Sequence, residues 1–374
     1  MNIAEIIGRN IDKARQEKEI SHQELAQILG VTRQTVSKYI KGEQAIDSEK
    51  LFKLAAFFNK PFDYFIEENE DEVLRVMFRA DFPDDNFTDE LRAVIQDRLQ
   101  KQWEVLSLAG QDMISFLPPQ YKLKLSGKKN LTDKEKEEIE RVALEQRQQV
   151  LDNCGHQDIY ECFEAFGIQV IAQPFHNSNI FGLSGYSDEH GAFIIINDDD
   201  IIPEERKIFT LIHEYGHLVF HREEYGNNAG SHFTARSDPR EKMADHFAGC
   251  FLAPRYQVQH WYKRIGNRAT LTDLIEFKKE LGISLQALVM TLKNYGFFDS
   301  SQVSRFYKII NSRGGKKKEP NPISAIEKNK TYYILVRNLF MSDAISTGRI
   351  AELLGISMKD ARKQASSWME EFET

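Results

Sequence analysis

The sequence predicts a mainly α-helical chain with a small β-sheet, an α+β fold class. Short segments with helical spacing and hydroxyl caps fill residues 1–66. Between residues 167 and 197 the period changes to β-branched runs bounded by Gly, Asp and Asn, which indicate strands. Helical spacing returns after residue 197 and continues towards the C-terminus. With 374 residues, the chain is long enough for two or three structural units.

The first 66 residues predict a five-helix domain. The first helix follows from apolar or small residues at helical spacing, namely Ile3, Ile6, Ile7, Ile11 and Ala14. Ser21 and Glu24 form a capping-box pattern at the start of the second helix, and Gly30 ends that helix. Thr32 caps the third helix. Two further helical segments complete the domain.

Residues 67–150 are predicted to be a helical connector. The acidic run EENEDE at 67–72 is typical of a solvated boundary, and charged helical sequence follows it. Residues 266–374 form a helical C-terminal region. Within that region, AELLGIS at 351–357 repeats the pattern of AQILGVT at 26–32, so the C-terminus holds either a second, degenerate helix-turn-helix or an ordinary helical hairpin.

Composition and charge narrow the class of protein. The net charge is −8, so the chain as a whole is not typical of nucleic-acid binders. The first residues contain charges throughout and lack the apolar core of a signal peptide, and no apolar stretch reaches the roughly 18 residues of a membrane span. Three cysteines without a CxxC pair predict no disulfide framework. We therefore expect a cytoplasmic protein without a membrane partner.

The sequence HEYGH at 213–217 has the HExxH pattern of a metal site. Residues four apart share one face of a helix, so His213 and His217 can both direct a ring nitrogen at one ion, with Glu214 beside it. A catalytic zinc ion needs a third protein ligand, and the next predicted helix offers Glu241. Asp245, one turn further, either orients a ligand histidine or lies at the surface.

Other residues near the motif leave alternatives open. If Glu241 is not a ligand, Asp238 or His246 is the next candidate. His221 extends the series on the same helix but lies too far along its axis to share the ion, so we predict a capping or packing role. His232, in a polar loop, is a candidate donor to a transition state.

The stretch from about 160 to 255 resembles the ImmA/IrrE family of metallopeptidases. The matching patterns are GLSG from Gly182, FIIIN ending at Asn197, RxxFTLxHExGH from Arg206, and ExxADxFA from Glu241. The resemblance implies a zincin-like metallopeptidase domain over 151–265, with His213, His217 and Glu241 binding Zn²⁺ and Glu214 as general base. It also implies that the substrates are helix-turn-helix repressors. Mn²⁺ or Fe²⁺ would suit the same ligands.

The N-terminal domain is similar to the Cro/C1-type (XRE) helix-turn-helix. Residues 1–66 carry ten Lys and Arg against nine Asp and Glu, whereas residues 31–42 are basic and contain no acid. This local excess suits phosphate contact, and residues at the start of the third helix suit base contact. The predicted DNA-binding residues are Gln23, Arg33, Gln34, Thr35, Ser37, Lys38 and Lys41. Val36 and Ile40 are predicted to face inward.

Two functions remain open at this point. In the first, a DNA-binding regulator that recognises a double-stranded operator as a homodimer carries a zinc endopeptidase, which cleaves a separate repressor-type protein or its own chain. In the second, the chain is a non-proteolytic transcription factor or an antitoxin, and the peptidase fold senses a metal or ligand. Glu214→Gln separates these functions, because only proteolysis needs the general base.

Overall fold

The computed structural model contains two compact units, residues 1–75 and 76–374. The structure describes residues 3–18, 20–58, 60, 62–66, 89–111, 116–126, 130–152, 154, 158–177, 180–187, 190–223, 238–312 and 318–373. The acidic run at 67–72 lies outside these residues, so the predicted boundary there stays a prediction.

The first unit is a five-helix domain around its own apolar core. Its helices are α1 (Ile3–Glu17), α2 (His22–Leu29), α3 (Arg33–Ile40), α4 (Ser48–Phe58) and α5 (Asp63–Ile66). Ser21 and Glu24 make the predicted capping box, and the Thr32 hydroxyl accepts a hydrogen bond at the start of α3. The local cap signals therefore placed the starts of α2 and α3 correctly.

The second unit contains twelve of the described α-helices and a three-stranded sheet. Before the sheet come α6 (Asp89–Leu108), α7 (Asp133–Leu151) and α8 (Ile159–Phe166). The strands are β1 (Gln169–Gln173), β2 (Gly182–Ser187) and β3 (Gly191–Asn197). The later helices are α9 (Glu204–Phe220), α10 (Pro239–Leu252), α11 (Arg255–Ile265), α12 (Leu271–Leu281), α13 (Leu285–Asn294), α14 (Ser300–Ser312), α15 (Lys330–Met341), α16 (Thr347–Leu354) and α17 (Met358–Glu373).

The sheet has the strand order β1-β3-β2, with β1 parallel and β2 antiparallel to the central β3. All seven residues of β3 are buried. The sequence predicted β1 and β3 from their β-branched runs, but it did not predict β2. Two glycines and two serines in GLSGYS lower the intrinsic strand preference, so pairing with β3 decides this strand.

Helix α9 carries the HExxH pattern through the core. Apart from Arg206, Phe209 and His213, its residues are buried, and it packs against β2, β3 and α10. Gly216 lies where α10 crosses, because a Cβ atom there would stand 3.1 Å from a ring carbon of Phe247. A side chain at this position would require the Phe247 ring to move by a few tenths of an ångström. Helix α10 also packs against α7, from the segment predicted as connector.

The cysteine prediction is corrected by the structure. Cys154 and Cys162 form a disulfide with their Cα atoms 5.2 Å apart, whereas Cys250 is a buried free thiol. Helices α7 and α8 pack against each other at this point, which brings together two cysteines eight residues apart. Spacing alone did not show this chain reversal.

Candidate functional site

Two ring nitrogens and one carboxylate meet between α9 and α10. The Nε2 atoms of His213 and His217 are 3.2 Å apart. The Glu241 carboxylate lies 3.2 Å from His217 Nε2 through one oxygen and 3.4 Å from His213 Nε2 through the other. Within the described ranges, these three residues are the group of potential ligands that converges closely enough for one metal ion.

The dimensions of this triangle suit a small divalent cation. A tetrahedral zinc site with ligands at about 2.0–2.1 Å separates neighbouring ligand atoms by about 3.3–3.4 Å. The two Nε2 atoms are 3.2 Å apart, close to that value, and each nitrogen has its own Glu241 oxygen at 3.2 or 3.4 Å. With one ligand atom from each residue, the three atoms lie within 4.8 Å of one another. Two nitrogens and one carboxylate leave a fourth tetrahedral position without a ligand from the triangle, as catalytic zinc sites require.

Each histidine of the triangle has a partner on its other ring nitrogen. His213 Nδ1 lies 3.0 Å from a carboxylate oxygen of Asp245, the residue predicted either to orient a histidine or to lie at the surface. The Asp245 side chain is also 62% exposed, so it contacts His213 from a position at the surface. His217 Nδ1 lies 3.0 Å from His221 Nδ1. His221 is buried and is the C-cap residue of α9, in agreement with the predicted capping or packing role.

The surrounding carboxylates favour positive charge at His213. Burial lowers the pKa of this histidine, but hydrogen bonds to Asp245 and Glu241, together with the charges of Asp245 and Glu214, outweigh burial. The pKa of His213 therefore lies well above its ordinary value. A site that stabilises a proton in this way also suits a metal cation.

Glu214 is buried next to the edge strand β2. Ser184 Oγ on that strand donates a 2.8 Å hydrogen bond to Glu214 Oε2. The sequence did not single out Ser184, because its only signal was a place in the GLSG pattern and its strand was not predicted. This contact holds one oxygen of Glu214 in place on the β2 side of α9.

The alternative ligands lie elsewhere. Asp238 is the N-cap of α10 and pairs with Arg240 at 2.8 Å. His246 is buried beside Cys250, with 3.6 Å between His246 Nε2 and Cys250 Sγ, and burial lowers its pKa to about 4. His232 lies outside the described residues. Within the described residues, Glu241 is therefore the carboxylate that completes the triangle.

Asn197 and Arg206 occupy supporting positions around the site. The Asn197 side chain is fully buried, donates to the carbonyls of Ile180 and Asn177, and accepts from the backbone N–H of Phe175. The Arg206 guanidinium lies 4.0 Å from the Phe181 ring centroid. Both residues brace the segment that leads into β2.

The predicted DNA-binding residues lie on α2, on α3 and at the C-terminal end of α3. Thr35 and Ser37 are half-buried. The others are exposed, namely Gln23, Arg33, Gln34, Lys38 and Lys41. The Thr35 hydroxyl is 2.9 Å from that of Thr32, which holds it at the helix cap. Val36 is fully buried as predicted, and Ile40 is half-buried. The third helix thus turns one face to the core and a basic face outward.

Comparison with known families matches both regions. The helix-turn-helix family profile matches residues 11–65, and the IrrE N-terminal-like domain profile of the M78 peptidases matches residues 163–293. The chain joins a helix-turn-helix domain to an IrrE N-terminal-like domain. The triangle of His213, His217 and Glu241 lies inside the IrrE N-terminal-like domain, as do Ser184 and Asp245.

Other comparisons add little. A search of curated proteins found no match. The crystal structure of Bacillus thuringiensis PlcR in complex with the peptide PapR7 and DNA aligns over 99% of this chain and 96% of that chain at 12% identity. Its TM-score of 0.18 supports no inference about this chain. None of the described helices is long and apolar enough to cross a membrane.

The two domains support a general functional statement. A helix-turn-helix domain together with a domain of the M78 peptidases indicates a DNA-binding regulator that carries a peptidase-family domain.

Proposed function

We propose that the IrrE N-terminal-like domain is a zinc-dependent endopeptidase and that it serves the regulator to which it is joined. The observation that supports this proposal is the triangle formed by His213, His217 and Glu241, in which one ligand atom from each residue lies within 4.8 Å of the others. His₂Glu sets with an open position are the ligands of catalytic zinc in proteases. Mn²⁺ and Fe²⁺ suit the same ligands and remain alternatives.

The metal contributes one part of the chemistry. His213, His217 and Glu241 would hold a zinc ion, which would supply a Lewis acid beside the scissile carbonyl. Asp245 accepts the Nδ1 proton of His213 and so directs the Nε2 lone pair into the triangle. The Nδ1–H of His217 donates to His221, which requires His221 to be neutral with its proton on Nε2.

Glu214 moves the proton. Ser184 binds one carboxylate oxygen of Glu214, and we propose that the other oxygen accepts a proton from the attacking water and passes it to the leaving amine. Burial of Glu214 between α9 and β2 limits its orientations, so the base is held ready. The Ser184 hydroxyl acts through Glu214 and is a positioning residue.

The substrate we propose is a repressor-type protein with a helix-turn-helix domain, in trans or within this chain. The resemblance to the ImmA/IrrE family supports this class of substrate. The fold supports an extended peptide near the site, since β2 is the edge of the sheet and packs against α9. An edge strand can pair with an extended polypeptide.

The helix-turn-helix domain is proposed to recognise a double-stranded operator through α3. Gln34 is proposed to contact base edges, while Arg33, Lys38 and Lys41 contact phosphates. A single domain of this kind binds weakly, so a homodimer on a two-fold operator is the proposed working form.

Metal analysis combined with mapping of cleaved proteins tests the enzymatic proposal. Wild-type chain, Glu241→Ala and Glu214→Gln are purified for zinc analysis, and new protein N-termini are mapped in cells that express each version. We expect wild type to bind zinc and to produce new termini within helix-turn-helix proteins or between about residues 60 and 150 of its own chain. Glu241→Ala should lose zinc, and Glu214→Gln should keep zinc but cut nothing.

One outcome would favour the non-proteolytic alternative. If Glu214→Gln regulates its target genes as well as wild type does, and no new termini depend on Glu214, then the domain senses a metal or ligand and is not a protease.

A further inference from the structure

The turn between α16 and α17 has the same conformation as the turn between α2 and α3 in the helix-turn-helix domain. Gly30 has φ 67° and ψ 33°, and Gly355 has φ 64° and ψ 31°. The next residue in each turn, Val31 or Ile356, donates a 3.0 Å backbone hydrogen bond to the residue five positions earlier. A left-handed residue is needed in both turns, and glycine supplies it without strain.

The likeness extends in register on both sides of the turn. Helices α2 and α16 have eight residues each, and a serine caps each one, Ser21 or Ser346. Thr32 and Ser357 then occupy the same place before α3 and α17. Adding 325 to a residue number in the first segment gives the equivalent residue in the second. The two segments therefore share the same order of helix, glycine turn and capped helix, with equal spacing.

Helix α15 completes the C-terminal unit, because it packs against both α16 and α17. Ala361, Ala365 and Trp368 are buried on one face of α17. The opposite face is exposed and carries Lys359, Arg362 and Lys363. In the register above, these residues correspond to Gln34, Ser37 and Lys38, which lie on the predicted DNA-reading face of α3.

The helix dipole does not explain the basic residues of α17. Lys359 and Asp360 both lie in the first turn, where Asp360 accepts a hydrogen bond from the Ser357 hydroxyl. Arg362 and Lys363 lie beyond the first turn, to which the effect of the dipole is confined. Lys363 Nζ lies 3.9 Å from Asp360, but both side chains are more than half exposed, so the Lys363 ammonium still faces solvent.

A third copy of the turn shows that conformation alone is not sufficient. Gly282, between α12 and α13, has φ 65° and ψ 25°, and Ser284 caps α13. Leu285, Leu288, Val289 and Leu292 of α13 are fully buried. That helix is part of the core, whereas α17 keeps a basic face exposed.

We propose that the exposed basic face of α17 is a second DNA-contacting surface, which binds the phosphate backbone of duplex DNA through Lys359, Arg362 and Lys363. This inference extends the proposed regulatory function. It rests on one part of that function, namely that the chain binds DNA. All three side chains are cations, which are attracted to every phosphate of a duplex, so this surface is proposed to bind DNA of any sequence.

The salt dependence of DNA binding by the full-length chain tests the proposal. The probe is a fluorescent 30-base-pair duplex of arbitrary sequence, and its affinity is measured from 50 to 200 mM salt. The variant K359A/R362A/K363A is compared with K279A/K293A/K308A, which removes three exposed lysines elsewhere in the same unit. Each lost phosphate contact lowers the slope of log K against log salt by about 0.9.

We expect the slope of log K against log salt to fall in magnitude by about two to three for K359A/R362A/K363A. For K279A/K293A/K308A we expect a fall of less than about one. An unchanged slope in the α17 variant overturns the proposal, including the case in which this face binds a protein instead. Equal losses in both variants overturn it as well. Lys359→Glu with Lys363→Glu reverses charge at two exposed positions and should weaken binding further.

A third arm separates this proposal from that for the N-terminal domain. Gln34→Ala with Lys38→Ala disables the predicted reading helix and leaves α17 intact. If this variant still binds the arbitrary duplex and loses that binding when the α17 substitutions are added, the second surface is supported. If the N-terminal substitutions alone abolish all binding, the second surface is overturned and the N-terminal role stands.

Discussion

His213 Nδ1 lies 3.0 Å from an Asp245 carboxylate oxygen, while His213 Nε2 lies 3.4 Å from Glu241. The two acids are one helical turn apart on α10, and the histidine is on α9. Helix α10 therefore provides both a proposed metal ligand, Glu241, and a carboxylate that contacts a second proposed ligand, His213.

Asp245→Ala should weaken zinc binding about tenfold. Loss of a residue that orients a metal ligand costs about 10- to 100-fold in metal affinity, and we expect the lower end because the Asp245 side chain is largely exposed. The measurement is competition with a chromophoric chelator. Asp200→Ala removes an exposed acid elsewhere in the same unit and serves as the control. Equal zinc affinity in the two variants would contradict an orienting role for Asp245.

Glu214→Gln should lower the rate of cleavage by about 10²- to 10⁴-fold and leave zinc content unchanged. The amide keeps the shape of the side chain but cannot accept the proton. Rates come from intact-mass analysis of the cleavage products over time. A variant that loses both zinc and activity would instead place Glu214 among the metal ligands.

Ser184→Ala should lower cleavage about tenfold, because Glu214 loses the hydrogen bond that holds one of its oxygens. Ser184→Thr keeps the hydroxyl and should restore part of the rate. Zinc content should be the same in all three proteins. If the alanine variant retains the full rate and the same pH profile, Ser184 has only a structural role.

His246→Gln should make the fold less sensitive to acid. Burial lowers the pKa of His246 to about 4, whereas in the unfolded chain a histidine takes up a proton near pH 6.5. The free energy of unfolding therefore falls between about pH 6.5 and pH 4, by up to about 3 kcal/mol. Glutamine does not titrate, so it avoids this loss.

The test for His246 is the difference in Tm between wild type and His246→Gln at pH 7 and at pH 4.5. Carboxylates common to both proteins cancel in this comparison. We expect the Tm of His246→Gln to rise relative to the Tm of wild type as the pH falls. A difference in Tm that does not change with pH would show that His246 accepts a proton in the folded state.

Gln34→Ala and Lys38→Ala should affect operator binding differently. Loss of Gln34 should cost about 1–3 kcal/mol on the operator and relax the choice of base, whereas loss of Lys38 should weaken binding to all sequences and reduce the salt slope by about one. Both side chains are exposed, so the fold should be unaffected. The measurement is anisotropy on operator and scrambled duplexes, and identical effects on both duplexes would contradict a base contact by Gln34.

Much of the helix-turn-helix domain could be predicted because its signals are local. The signals come from residues that cap or end a helix through the backbone of near neighbours. The structure shows these local hydrogen bonds and conformations at Ser21, Glu24, Gly30 and Thr32. The shared face of His213 and His217 is equally local, since helix geometry alone sets it.

The missed features depend on contacts between distant segments. β2 exists because β3 pairs with it, and Ser184 meets Glu214 only because that strand packs against α9. The disulfide between Cys154 and Cys162 likewise needs the reversal of chain between α7 and α8.

The sequence by itself determined which residues cap, turn and line one face of each helix, because those properties arise from backbone hydrogen bonds and side-chain periodicity. Only the tertiary structure decided that Glu241 completes the triangle and Asp238 and His246 do not. The choice depends on which face of α10 packs against α9, because all three candidates lie on α10 or at its N-cap and core packing fixes how that helix is rotated.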